Sequence, residues 1–263
     1  VLDTHPQLRV IARAGVGYDA VDVAAATDHG VAVAIAPGTN QDAVAEHTFT
    51  HILALAKGLI AQHLSVKSGG WPRGATIPLR GRTLGIVGLG RIGKAVALRG
   101  IAFQMKLIAY EPYPDRDFCT KYNIPLVPVE KLLAESDFVT IHIPKSPETN
   151  NFINKKTLAL MKPTAFLVNE SRGGLVNEAD LYEALRDKRI AGAGLDVFDN
   201  EPPGQSPLFT LDNIVLTPHA AGVDLQSRDD MALSAAQTII TLRKGGWVDQ
   251  AIVNPEARAK FRW

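Results

Sequence analysis

At 263 residues, with 46% hydrophobic and 21% charged side chains, the chain has ordinary globular composition and room for one large or two modest domains. Its 28 basic and 27 acidic residues leave a formal charge of +1, which removes any electrostatic case for nucleic acid or an anionic membrane as partner. A single cysteine, Cys119, excludes an intramolecular disulfide framework and fits a reducing, cytoplasmic setting. The apolar runs 31–36 and 52–56 are too short to span a bilayer, and the opening residues do not resemble a signal peptide.

In chain order, residues 8–14 and 31–35 predict two short strands around a helical stretch at 21–29. Residues 42–64 predict one long helix, with Val44, Phe49, Ile52, Leu53, Leu55, Leu59 and Ile60 on a broad apolar face. From Thr83 onward, strand-length apolar runs at 83–87, 106–111, 137–143, 164–169, 190–197 and 213–217 alternate with helical stretches at 92–102, 129–134, 156–161 and 179–186. Asn177 stands as N-cap of the last of these, with Asp180 in a box-like position. A second long helix, 225–242, is ended by Gly245-Gly246. Such alternation predicts an α/β fold: a doubly wound, parallel, six-stranded Rossmann sheet with a second, smaller domain.

The first chemical motif is Gly88-Leu89-Gly90-Arg91-Ile92-Gly93, between a predicted strand and a predicted helix. Gly88 suits the tight turn, Gly90 lets a pyrophosphate approach the backbone, and Gly93 lets helix and strand pack closely. Glu111 lies eighteen residues after Gly93, at the end of the second strand of this series. A carboxylate there accepts hydrogen bonds from both ribose hydroxyls of a dinucleotide and repels a 2′-phosphate, favouring NAD over NADP. Arg172, Glu201 and His219 follow the last three strands, so one crevice at their carboxyl ends should receive all three. Together they suit reduction of a 2-keto acid. Histidine donates the proton, a carboxylate steadies the imidazolium, and a guanidinium holds the substrate carboxylate while polarising the carbonyl.

At these residues the chain resembles the D-isomer-specific 2-hydroxyacid dehydrogenases. The likeness runs through Ala14-Gly15-Val16-Gly17-Tyr18-Asp19, Ala45-Glu46-His47-Thr48, the glycine loop, the Arg172 segment, Leu195-Asp196-Val197-Phe198 to Glu201-Pro202, and Thr217-Pro218-His219. It implies an NAD-dependent enzyme acting on a small 2-hydroxy or 2-keto acid, of the phosphoglycerate, hydroxypyruvate or glyoxylate type. In it His219 is the acid/base, Glu201 its partner and Arg172 the substrate binder. The amides of Val16 and Gly17 receive the substrate carboxylate. Gly88, Gly90, Arg91, Ile92 and Gly93 meet the pyrophosphate, Glu111 the ribose, and Asp196 the nicotinamide carboxamide. Ser171, Ala221 and Gly222 complete the cofactor contacts, and His142 shapes the adenine side. A dinucleotide-sensing corepressor of the same fold is the alternative reading, and a homodimer is expected from the 42–64 helix.

The resemblance also sets expectations for organisation. Residues 1–41 read as the remnant of a flavodoxin-like substrate domain, 42–222 as the NAD-binding Rossmann domain, and 223–263 as a helix and tail returning to the substrate domain. The chain begins Val1-Leu2-Asp3, so part of the substrate domain is expected to be lacking, and with it one wall of the pocket. Two departures stand out: Glu170 where relatives carry a small or neutral residue, and Ala36 where they carry a hydroxyl. His47 and His51, at i and i+4, have metal-binding spacing, but no acidic or cysteine partners are evident. Helix packing or a subunit interface, and no metal, is therefore expected.

Overall fold

The structure, a computed structural model, describes residues 2–263. It divides into two compact units, Val1–Ala43 with Gly222–Trp263, and Val44–Ala221. In the first unit β1 (Val10–Ala12) and β2 (Ala32–Ala34) pair in parallel, joined by α1 (Val23–Asp28). The C-terminal segment returns along β2. Asn254 accepts the Val33 N–H through Oδ1 at 2.8 Å and donates from Nδ2 to the Val31 carbonyl at 3.0 Å. Ala32, Ala34 and Ile252 bury together with Leu242 of α9 (Leu225–Arg243).

The second unit is built on six parallel strands in the order β4-β3-β5-β6-β7-β8. They are β3 (Thr83–Val87), β4 (Lys106–Tyr110), β5 (Phe138–Ile141), β6 (Phe166–Asn169), β7 (Gly192–Leu195) and β8 (Ile214–Leu216). Outside β4, Leu126 forms a one-residue parallel bridge to Ala109. Counting that bridge as a strand restores the doubly wound order with its reversal between β3 and β5, the place where such sheets bind dinucleotides.

Alternation along the strands divides the apolar side chains between two cores. Leu84, Ile86, Phe138, Phe166 and Val168 pack against α2 (Gln41–Lys57) and α4 (Arg91–Ala102), meeting Phe49, Ile52, Val96 and Ala97. Phe138 and Phe166 stack with centroids 5.3 Å apart. Val139, Ile141, Leu167 and Leu195 face the other way. There they meet Leu132 and Leu133 of α6 (Val129–Glu135), Leu158 of α7 (Lys155–Leu158), and Leu181 and Leu185 of α8 (Glu178–Arg186). Burial on both faces is why these strands read as continuous apolar runs.

The local departures from expectation have physical causes. The predicted helix 42–64 is two helices: Gly58, at φ +58°, ends α2 and starts α3 (Leu59–Lys67), which buries none of its side chains. Asn177 caps α8, accepting the Asp180 N–H at 3.0 Å, but the box is not reciprocal. The Asp180 carboxylate instead accepts the Lys155 N–H at 2.8 Å, tying the start of α7 to α8. That short helix carries its own closed box through Asn154 and Thr157. A further helix, α5 (Arg116–Lys121), lies where none was predicted.

Candidate active site

The glycine loop lies between β3 and α4, beside the reversal point. Gly88 has φ +95°, and a Cβ there would sit 2.8 Å from the backbone carbonyl group of His142. A Cβ on Gly93 would sit 2.0 Å from the Gly88 oxygen, whereas one on Gly90 would meet nothing within 4 Å. The first and third glycines are thus needed for backbone contact, and the second opens the approach to α4. That helix has no side-chain cap at Gly90, so its first-turn amides are available to an anion.

Glu111 follows the last residue of β4 and is fixed from both sides. Oε2 accepts the Leu89 N–H at 2.8 Å and Oε1 the Tyr113 N–H at 2.9 Å. Each carboxylate oxygen keeps a lone pair, which suits a pair of ribose hydroxyls. His142 lies just past β5, with both ring nitrogens buried and without partners among the described residues. Burial lowers its pKa to about 4, so the ring is neutral at physiological pH.

The three residues predicted for chemistry follow neighbouring strands at one end of the sheet: Arg172 after β6, Glu201 after β7 and His219 after β8. His219 Nδ1 lies 2.6 Å from Glu201 Oε2, with both side chains partly exposed. Glu201 is held in turn by the Phe198 N–H, 3.1 Å from Oε1. Arg172 is partly buried and donates to the Ser171 carbonyl at 2.6 Å, while the Ser171 hydroxyl bonds the Ile143 carbonyl at 2.6 Å. A Cβ at Gly173 would come within 1.8 Å of the Phe198 oxygen, so the Arg172 and Glu201 segments touch backbone to backbone. Val16 and Gly17 lie in the other unit, beyond β1, where the Gly17 carbonyl accepts the Arg13 Nε–H at 3.0 Å.

Asp196 is fully buried, and its carboxylate is engaged by one loop. The Thr217 hydroxyl donates at 2.6 Å, the Ala220 N–H at 2.9 Å and the Ala221 N–H at 2.8 Å. Its backbone oxygen accepts the His219 N–H at 2.7 Å. Gly222, next in the chain, is half-buried.

One grouping was not foreseen. The two histidines of α2 do have an acidic partner: the Glu170 carboxylate lies 2.7 Å from His47 Nδ1 and 2.8 Å from His51 Nδ1. The unexpected charge of Glu170 is thus met by imidazoles rather than left facing a cofactor. Glu170 follows β6 and the histidines lie more than a hundred residues upstream. The only signals in the sequence are the i, i+4 spacing and an acid beside a strand end.

A parallel sheet that reverses over a glycine turn is a dinucleotide-binding domain, and here the His219–Glu201 pair stands at the carboxyl end of its strands. The family model described as D-isomer specific 2-hydroxyacid dehydrogenase, NAD binding domain, matches residues 49–221. A glyoxylate reductase of Korarchaeum cryptofilum is 42% identical over 97% of this chain and 79% of its own length. A D-3-phosphoglycerate dehydrogenase of Archaeoglobus fulgidus is 40% identical over 97% of this chain, which spans only 49% of that relative. A crystal structure of D-lactate dehydrogenase from Aquifex aeolicus, complexed with NAD and lactic acid, superposes with a TM-score of 0.89. It is 30% identical, over 96% of this chain and 82% of that one. The chain belongs to the D-isomer specific 2-hydroxyacid dehydrogenase family, oxidoreductases that work with a nicotinamide cofactor.

The Glu170 pair makes stability depend on pH. The hydrogen bond to Glu170 raises the pKa of His47 against the opposing effect of burial. Burial pushes Glu170 up, but the hydrogen bond from His47 and the close approach of both imidazoles outweigh it and hold the carboxyl below its usual range. The Glu170 contribution is present above its ordinary value of 4.5 and lost as pH falls through its lowered folded value. That of His47 is present below its ordinary 6.5 and lost as pH rises through its raised folded value. The stability lost in His47→Gln, read by urea denaturation, should therefore be greatest between about pH 4.5 and 6.5 and shrink on the alkaline side. A difference that stays flat from pH 5 to pH 9 would mean the pair is not ionic.

Proposed function

We propose that the protein transfers a hydride between NAD and C2 of a small D-2-hydroxy or 2-keto acid, the two-carbon to three-carbon acids named in its relatives being the first substrates to try. The observation that carries this reading is the 2.6 Å contact between His219 Nδ1 and Glu201. With the Nδ1 proton committed to the carboxylate, the remaining ring nitrogen, Nε2, gives a proton to the carbonyl oxygen on reduction and takes it back on oxidation. Arg172 binds the substrate carboxylate and polarises the carbonyl, and the amides of Val16 and Gly17 are assigned to the same carboxylate. When bound, the nicotinamide supplies or receives the hydride. Gly88, Gly90, Arg91, Ile92 and Gly93 hold the pyrophosphate. Glu111 holds the ribose, and Ser171, Asp196, Ala221, Gly222 and His142 line the rest of the cofactor's bed.

Steady-state turnover with glyoxylate, hydroxypyruvate and phosphohydroxypyruvate separates this reading from a dinucleotide sensor, which would bind NADH and turn nothing over. His219→Ala should cut kcat on the order of 10²-fold or more while leaving NADH binding unchanged. Glu201→Gln can present an N–H to Nδ1 and fix the wrong tautomer, so it should lower kcat about tenfold or more. Full activity in either variant removes that residue from the mechanism.

For the cofactor, Glu111 should favour NADH over NADPH at least about tenfold in affinity, about 1.4 kcal/mol. Fluorescence titration of both cofactors measures it. Glu111→Ala should narrow the gap, and equal affinities in the unaltered protein would take Glu111 out of the site.

The expected homodimer also has a surface. Leu59, Ile60, Leu64 and Val66 of α3, with the nearby Trp71, are exposed apolar side chains, and a second copy would cover them. Light scattering should give twice the chain mass, and Leu64→Glu with Trp71→Glu should halve it. A monomer in the unaltered protein would end this assignment.

A further inference from the structure

The buried Glu170, His51 and Asp196 form a continuous polar chain with the half-buried Thr217, and only Asp196 has an expected role at the cofactor. His51 is 1% exposed and lies on the β7 backbone, where a Cβ at Gly194 would be 2.8 Å from its Nδ1. That Nδ1 stands at ion-pair distance from Glu170 Oε1 without a straight hydrogen bond, and neither atom has another partner among the described residues. Nε2, at the other edge of the ring, lies 3.2 Å from the Thr217 hydroxyl. Because that hydroxyl spends its one proton on Asp196, it can only accept from His51. Direction thus runs from the imidazole through the hydroxyl to the carboxylate.

The far end of the chain is the backbone of the proton-transfer residue. His219 has φ +54°, a left-handed conformation that a non-glycine residue adopts only where its surroundings impose it. Asp196 imposes it: its carboxylate takes the Thr217 hydroxyl before His219 and the amides of Ala220 and Ala221 after it, while its carbonyl takes the amide of His219 itself.

His47, His51 and Glu170 offer ligand atoms within 4.8 Å of one another, and a metal ion is the competing explanation for them. The 2.7 Å contact of His47 Nδ1 with the Glu170 carboxylate is a hydrogen bond, the contact of groups sharing a proton. Two ligands of one tetrahedral zinc at its usual bond lengths stand about 3.4 Å apart.

We propose that His51, anchored by Glu170, and Thr217 are positioning residues that hold the Asp196 loop, and so the left-handed backbone of His219, in the geometry needed for proton transfer. This rests on the dehydrogenase reading for its effect on rate, but not for its effect on the loop. Two readouts therefore test it. Thr217→Val removes the hydroxyl at nearly constant volume, and kcat should fall about tenfold or more while NADH affinity stays within about threefold. Amide exchange at 219–221 should quicken about tenfold or more, and Thr217→Ser should restore both. His51→Leu should show the same kcat defect, and the double variant with Thr217→Val should be little worse than the poorer single one, because both break one chain.

Unchanged exchange in a folded Thr217→Val protein overturns the proposal whether or not the unaltered protein turns over. Absence of turnover in the unaltered protein overturns only the dehydrogenase reading. One equivalent of zinc in the purified protein, lost in His51→Leu, would replace the positioning chain with a metal site.

Discussion

A carboxylate taken wholly out of water must find donors for its oxygens, and Asp196 finds all of its side-chain donors in one five-residue stretch, 217–221. That stretch has little choice of path. It must wrap the carboxylate closely enough for a hydroxyl and two amides to reach it, and the wrapping turns His219 into a conformation it would not adopt in a free chain. The pairing of His219 with Glu201 is downstream of this. Glu201 is carried on the segment that follows β7, and Asp196 is the residue where that segment leaves the strand. Histidine and carboxylate are thus both measured from the same buried group.

A second constraint of the same kind operates among the neighbouring loops, with backbone in place of charge. Gly88 against His142, Gly93 against Gly88 and Gly173 against Phe198 are approaches in which a single added carbon would collide with main chain. Main chain cannot swing aside as a side chain does, so these contacts fix how the loops after β3, β5, β6 and β7 lie beside one another. Glu111 adds an electrostatic tie, since the carboxylate assigned to the ribose already bonds the amide of Leu89 inside the glycine turn. The loop and its acidic partner are therefore one preassembled surface.

The strands of the second unit were legible because all but the half-buried β8 are buried along most of their length on both faces and so leave apolar runs. Their ends were not, because apolar residues continue past the last ladder bond, as Ile143 and Val197 do. Leu126 pairs through a single residue, which leaves no periodicity to read. The break at Gly58 was hidden for the opposite reason. The apolar pattern runs on through Leu59 and Ile60, but these side chains are exposed, so hydrophobicity there does not report core packing. Local chemistry carried the glycine loop, the carboxylate after β4 and the three polar strand ends into view. The Glu170 cluster joins residues 123 apart in the chain, and the order of residues alone does not encode that distance. Read in isolation, Glu170 looked like a stray charge; in the fold it is a counter-ion.

The two margins of the second unit's sheet are finished differently. On one side the β4 backbone is already engaged, with the Ala109 N–H bonded to the Pro125 carbonyl and its own carbonyl taking the Val127 N–H, both at 2.9 Å. On the other, β8 is three residues long, half-buried, and followed one residue later by Pro218, which has no amide proton to offer. An extended polypeptide seeking to add itself to this sheet would find the first margin occupied and the second too brief to hold a register. Parallel sheets assemble slowly and leave strands open while they do so, which is when chains cross-associate. The one-residue bridge at Leu126 and the shortness of β8 thus leave little open edge for fibrillar or domain-swapped growth.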